Sequence, residues 1–130
     1  MNLKQQEQIT AQDFAKKWQK ILRLQDWQVF VEVKRRRDLP DDYRNCYGFC
    51  QPNISSKQAV ITIRSEMDHD DQPLPFDIEQ VIVHELLHLY TADMSVLETP
   101  GSFEYIAMEQ MIELLSWAFI TLDRKNGIHS

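Results

Sequence analysis

Asp77-Ile78-Glu79-Gln80-Val81-Ile82-Val83-His84-Glu85-Leu86-Leu87-His88-Leu89-Tyr90 is the stretch on which the fold turns. Asp77, followed three residues later by Gln80, is a capping pair, so the spacing predicts a helix from about Ile78 to about Asp93. On a helical wheel Ile78, Val81, Ile82, Val83, Leu86, Leu87, Leu89, Tyr90 and Met94 cover most of the circumference. Asp77, Gln80, His84, His88 and Thr91 are left on one narrow polar strip. A helix that is apolar on nearly every side must be surrounded by other elements, and the rest of the chain has to supply them.

Upstream, Thr10 and Asp13 form a plausible helix start. Phe14, Trp18, Ile21 and Leu22 then recur at helical spacing, which predicts a first amphipathic helix covering a sheet. From Trp27 to Val33 apolar and polar residues alternate as in a strand. Tyr47–Cys50 and Ala59–Arg64 read as two further extended segments separated by a turn over residues 52–56. Residues 66–76, with two prolines and four acids, read as a surface loop. After Pro100-Gly101-Ser102 a last helix is expected from Phe103 to about Arg124, stopped at Asn126-Gly127. The expected class is α+β: an N-terminal helix, a sheet of three or four strands, the buried helix and a C-terminal helix. No repeat or flexible linker divides the chain, so residues 1–130 are read as one domain with its core from about 10 to about 123.

The 130 residues are 43% hydrophobic with three glycines, which excludes disordered and collagen-like chains, and no apolar run approaches the length of a membrane span. The start of the chain has no apolar signal segment, so the expected location is cytoplasmic. In that compartment Cys46 and Cys50 are expected to be reduced thiols packed on or near the sheet. The formal charge of −6 is unevenly distributed. Twelve of the 14 basic residues and 7 of the 20 acids precede Ser65, leaving 2 basic and 13 acidic residues from there on. An acidic chain is a poor nonspecific nucleic-acid binder, and the run Lys34-Arg35-Arg36-Arg37 is only a weak hint to the contrary.

His84-Glu85-Leu86-Leu87-His88 is an H-E-x-x-H pattern. Residues four apart on a helix differ by roughly 40°, so both imidazoles project to one side and can meet one Zn²⁺. Glu85 points elsewhere, yet can reach a water held by such a metal, where a general base is needed. Two histidines hydrogen-bonded in a core would share the spacing; the intervening glutamate favours the metal. A third protein ligand is required. Position 94, where a third histidine could stand, is Met, and His129 lies beyond the glycine stop. On the last helix Glu109 and Glu113 fall on a mostly apolar face, where a carboxylate is costly without a cation. Glu109 is favoured as third ligand, with Glu113, Asp93, Glu98 and Glu104 as alternatives.

These residues resemble the zincin metallopeptidases, specifically the gluzincins, whose smallest phage-encoded and bacterial members have about this length and order of elements. In gluzincins the ligand glutamate begins an E-x-x-x-D/E segment, which Glu109-Gln110-Met111-Ile112-Glu113 matches. The resemblance covers about residues 10–123 by architecture, and residues 84–88 and 109–113 by motif. It implies a zinc-dependent peptidase in which His84, His88 and Glu109 hold zinc. Glu85 would activate the zinc-bound water for hydrolysis of a peptide or protein substrate, and Glu113 would orient a ligand histidine. It also implies that Ala59–Arg64 is the edge strand on which an extended substrate pairs. Larger gluzincins stabilise the oxyanion from a further subdomain; here Tyr90, Tyr105 and Asp93 are the candidates. The third histidine of SprT-like proteases is missing, so a DNA-linked role is not implied. The alternative is a catalytically silent zinc-binding structural or regulatory protein acting through a protein partner. The acidic run Asp68-His69-Asp70-Asp71 lacks the glycine and distal glutamate of a calcium loop and reads as solvent-exposed.

Overall fold

The computed structural model of the chain describes residues 2–68 and 76–126. Its elements follow in the order α1 (Leu3–Ile21), β1 (Gln28–Lys34), β2 (Gly48–Asn53), β3 (Gln58–Arg64), α2 (Ile78–Leu87) and α3 (Phe103–Asn126). This is an α+β arrangement of three helices and one three-stranded sheet. Among the described residues no helix is long and apolar enough to cross a membrane. The loop residues 69–75 and His129 lie outside them.

Helix α1 starts earlier than the apolar spacing predicts. Asn2 accepts from the Gln5 backbone while the Gln5 side chain accepts from that of Asn2, a reciprocal cap that satisfies the first free N–H groups. The polar turns between this cap and Thr10 are held by distant contacts that periodicity cannot register. Glu7 accepts from the Ser65 hydroxyl and the Glu66 backbone N–H. Gln8 accepts from the Val33 N–H at 2.8 Å and donates to the Val31 carbonyl, so its amide occupies the open edge of β1. Further along, Ala11, Ala15 and Trp18 form the buried stripe.

The sheet order is β1-β3-β2, with β1 parallel and β2 antiparallel to β3. The segment expected at the edge, Ala59–Arg64, is therefore central. Its β-branched residues pack where both neighbours are strands, and Ala59, Ile61, Thr62, Ile63 and Arg64 are all buried. The edge is β2. Pro52 sits within it, opposite Ala59, and proline is tolerated in a strand where its missing N–H would have pointed outward. The Arg64 N–H donates to the Tyr47 carbonyl at 2.7 Å. By the alternation of an antiparallel pair, the main-chain groups of Gly48 and Cys50 then face away from β3.

Helix α2 crosses behind this sheet with Ile82, Val83 and Leu86 fully buried, each contributing about 1.5–3 kcal/mol by leaving water. It opens as predicted, with Asp77 accepting from the Gln80 N–H. It ends at Leu87 rather than near Asp93, passing into a tight turn over His88–Tyr90. The Thr91 N–H returns to the His88 carbonyl, three residues back, and the Thr91 hydroxyl is held by Glu98 at 2.8 Å, so the helical ladder stops. One polar knot ties the three helices together. Glu79 accepts from Lys17 Nζ (2.8 Å), Trp18 Nε1 (2.7 Å) and Arg124 (3.2 Å), and Lys17 also meets Asp123 at 2.7 Å.

Candidate metal centre

The polar strip of α2 faces α3, and between the two helices and β2 opens a cleft of about 400 Å³. His84, Glu85, His88, Glu109 and Glu113 all line it. One nitrogen of each histidine and one oxygen of Glu109 lie within 4.8 Å of one another. His88 Nε2 is 2.6 Å from Glu109 Oε1, and His84 Nε2 is 3.6 Å from Glu109 Oε2. The tight turn after Leu87 keeps His88 on the same side as His84, with ring centroids 5.3 Å apart.

The donors fit zinc on two counts. A tetrahedral zinc with bonds of about 2.0–2.1 Å separates its ligand atoms by roughly 3.3 Å, close to the spacing present here. Glu109 Oε1 is also buried and, despite its short approach to His88, has no donor aligned with it as a hydrogen bond. A carboxylate oxygen placed against an imidazole nitrogen in this way needs a proton or a cation between them. Without a cation, the electrostatics of the cluster point in the same direction. Burial pulls the His84 imidazolium down, but Glu109, Glu85 and Glu113 outweigh it and carry its pKa to about 9. The facing imidazoles of His84 and His88 hold Glu109 at about 2 against its burial. Three carboxylates and two imidazoles arranged so attract positive charge.

The far side of each ring is also held. His84 Nδ1 lies 2.8 Å from Glu113 Oε1, which leaves Nε2 to face the cluster. Glu113 is itself fixed by Gln80 Nε2 on Oε1 (2.9 Å) and by Trp117 Nε1 on Oε2 (3.2 Å). Gln80 also donates to Ser116 at 2.8 Å. His88 Nδ1 faces Glu98 Oε1 at 3.8 Å, with Thr91 donating to that same oxygen. Glu85 is buried, yet it opens on the cleft. Burial raises its carboxyl above the usual range while His84 and His88 draw it back.

Of the other candidates, Tyr105 lines the cleft. Tyr90 turns away and donates its hydroxyl to the Leu22 carbonyl at the end of α1. Asp93 and Glu104 are exposed and stand outside the cluster, and Glu98 lies behind His88. Cys46 and Cys50 are free thiols that both line the cleft, and burial pushes the Cys50 thiol up, keeping it protonated. Two members of the basic run are engaged locally. Arg35 forks onto Asp68 at 2.7 and 2.9 Å, and Arg36 onto the Arg44 carbonyl and Asn45.

Sequence reasoning passes over Gln80, Trp117 and Gly48. Gln80 carries a signal, since it shares the polar strip with both histidines. Gly48 carries one only in three dimensions: a Cβ there would stand 2.8 Å from the Thr62 carbonyl oxygen and 3.0 Å from Val81. No family model, curated protein or solved structure compared with this chain matches it.

Proposed function

We propose that this chain is a minimal zinc metallopeptidase of zincin-like design, with His84, His88 and Glu109 as the metal ligands. The observation that carries this reading is the convergence of one Glu109 carboxylate and two imidazole nitrogens at the floor of a cleft that Glu85 also enters. When bound, zinc supplies a Lewis acid that acidifies water and polarises a carbonyl oxygen.

The remaining chemistry belongs to the chain. Glu85, with its proton affinity raised by burial, takes a proton from the attacking water and later delivers it to the departing amine. Glu113 holds His84 through Nδ1, and Gln80 and Trp117 hold Glu113, so the ring keeps its orientation while charge builds up beside it. Tyr105, which lines the cleft together with Tyr43 and Tyr47, is the phenol assigned as oxyanion donor. An extended peptide pairs along β2, where the main-chain groups of Gly48 and Cys50 are open, and the stacked rings of Tyr43 and Phe49 flank it at 4.1 Å from each other.

The test begins with metal analysis of the purified protein and continues with Glu85→Gln. Stoichiometric zinc in both proteins is expected, with peptide hydrolysis by the parent reduced at least about a hundredfold in the variant. Zinc in both with no hydrolysis of any peptide would leave a silent zinc scaffold instead. A protein with no affinity for zinc defeats both readings.

A further inference from the structure

The outer face of α3 has no cover among the described elements. Phe103 is 90% exposed and Leu114 73%, and Ile106, Met111, Trp117 and Leu122 are each more than a third exposed. Between Glu104 and Asp123 the two charged side chains are Glu109 and Glu113, which meet the histidines of α2, with Glu113 half exposed at the border of the face beside Trp117. From residue 105 to residue 122, about 27 Å of helix, the stripe is uncharged and mostly apolar, with Gln110 and Thr121 as its exposed polar residues.

We propose that this face is the contact by which two copies of the chain form an antiparallel, two-fold symmetric dimer. Area is the first ground. With whole side chains of roughly 150–250 Å², the exposed fractions of these residues amount to about 700 Å² per copy, close to the roughly 800 Å² per partner of a stable interface.

Self-complementarity is the second, because a two-fold contact must fit itself. Leu114 lies midway between Phe103 and Lys125, so an axis beside it sets Leu114 on its own counterpart and Met111 opposite Trp117. The same axis lays Lys125 over the aromatic ring of Phe103.

Charge is the third. Two molecules of net charge −6 approach with least repulsion through a surface whose middle carries no charge, and the antiparallel two-fold that sets Leu114 on its counterpart brings Glu104 of one copy opposite Arg124 of the other. Trp117 connects the contact to the cleft, since its ring lies on this face while its Nε1 donates to Glu113. Dimerisation withdraws that hydrogen bond from water.

Light scattering on the size-fractionated full chain at about 100 μM tests this, well above the micromolar dissociation constants at the weak end for interfaces of standard size. A mass of twice 15.4 kDa is expected, falling to 15.4 kDa for Leu114→Glu with unchanged far-ultraviolet circular dichroism. Leu114→Cys supplies a readout independent of any destabilisation: under mild oxidation it should form a disulfide-linked dimer that the parent, with Cys46 and Cys50 alone, does not form. A monomeric parent overturns the proposal, and one that also co-sediments with neutral phosphatidylcholine vesicles assigns the face to a lipid surface. A dimer that withstands Leu114→Glu and gives no cross-link places the contact elsewhere and overturns it equally.

Discussion

Glu109 and Glu113 stand one helical turn apart on α3 and meet opposite ends of the same imidazole, Glu109 toward His84 Nε2 and Glu113 on Nδ1. This arrangement separates their duties. Glu109→Ala removes a ligand and should all but abolish zinc binding, whereas Glu113→Ala leaves three ligands and should weaken affinity by about 10–100-fold. Competition titration against a chelating dye reads both, and a larger loss at Glu113 would reverse the assignment. Gln80→Leu, which removes one of the donors that fix Glu113, should fall between Glu113→Ala and the parent. The clustering of these residues was legible in the sequence because helical spacing alone places His84 and His88 together, and because Glu109 and Glu113 stood on an apolar face. Their supports were not. Trp117 reads as an apolar residue in any one-dimensional pattern, and only its indole N–H, aimed at Glu113 from the next turn, gives it a polar task.

Strand β2 reaches α2 closely because Gly48 has no side chain to hold them apart. Gly48→Ala would drive a methyl group into the Thr62 carbonyl and Val81, neither of which is the free end of a flexible chain. The expected cost is about 1–3 kcal/mol in urea denaturation, with β2 displaced from the histidines. A stability unchanged within error would show that the two elements separate freely. The placement of the strands has a similar physical origin. Composition identified Ala59–Arg64 as a strand but not its place, since an edge strand and a central strand share β-branched residues. Pro52, read from sequence as part of the turn, lies inside β2, where a proline marks a strand with an open side; β1, the other outer strand, carries no such mark. In α1 the polar residues Gln5, Glu7 and Gln8 are helical because of what they bond across the molecule, so a search for apolar spacing begins the helix too late.

At the scale of the whole chain, the acids crowded into the second half divide between two uses. Glu85, Glu98, Glu109 and Glu113 line the cleft and want a cation, while Asp77, Glu79 and Asp123 are tied to Lys17 and Arg124. Chelation should therefore lower the melting temperature. Zinc held at a hundred times its dissociation constant contributes about 2.7 kcal/mol, or roughly 10 °C for a domain of this size. An unchanged melting point would leave the cleft carboxylates unexplained. In the metal-free protein, acid should act through the tied group. Arg35 and the Arg36 N–H hold the Asp68 carboxyl below its usual range; Asp77 and Glu79 are also held below it, where Arg124, Lys17 and Trp18 outweigh burial. A depressed carboxyl stabilises the fold above its unfolded pKa of about 4, and that contribution is lost as the pH falls below it. Lys17 is the converse. Burial opposes its charge, but Asp123 and Glu79 raise its pKa, so its contribution is complete below about 10.5 and fades above. The His84 pKa of about 9 adds a second slope, since its contribution is complete below about 6.5 and fades as the pH rises through about 9. Urea midpoints should therefore be highest between about pH 4 and 6.5 and fall on either side, and a midpoint that rose on acidification below about pH 4 would contradict the sign. One small feature governs how such a molecule behaves when crowded. The Gln8 amide takes up the outward Val31 carbonyl and Val33 N–H of β1, which leaves β2 as the more open edge of the sheet. Pairing through β2 therefore joins two copies at one edge, and any growth beyond that pair has to use a different surface, such as the outer face of α3.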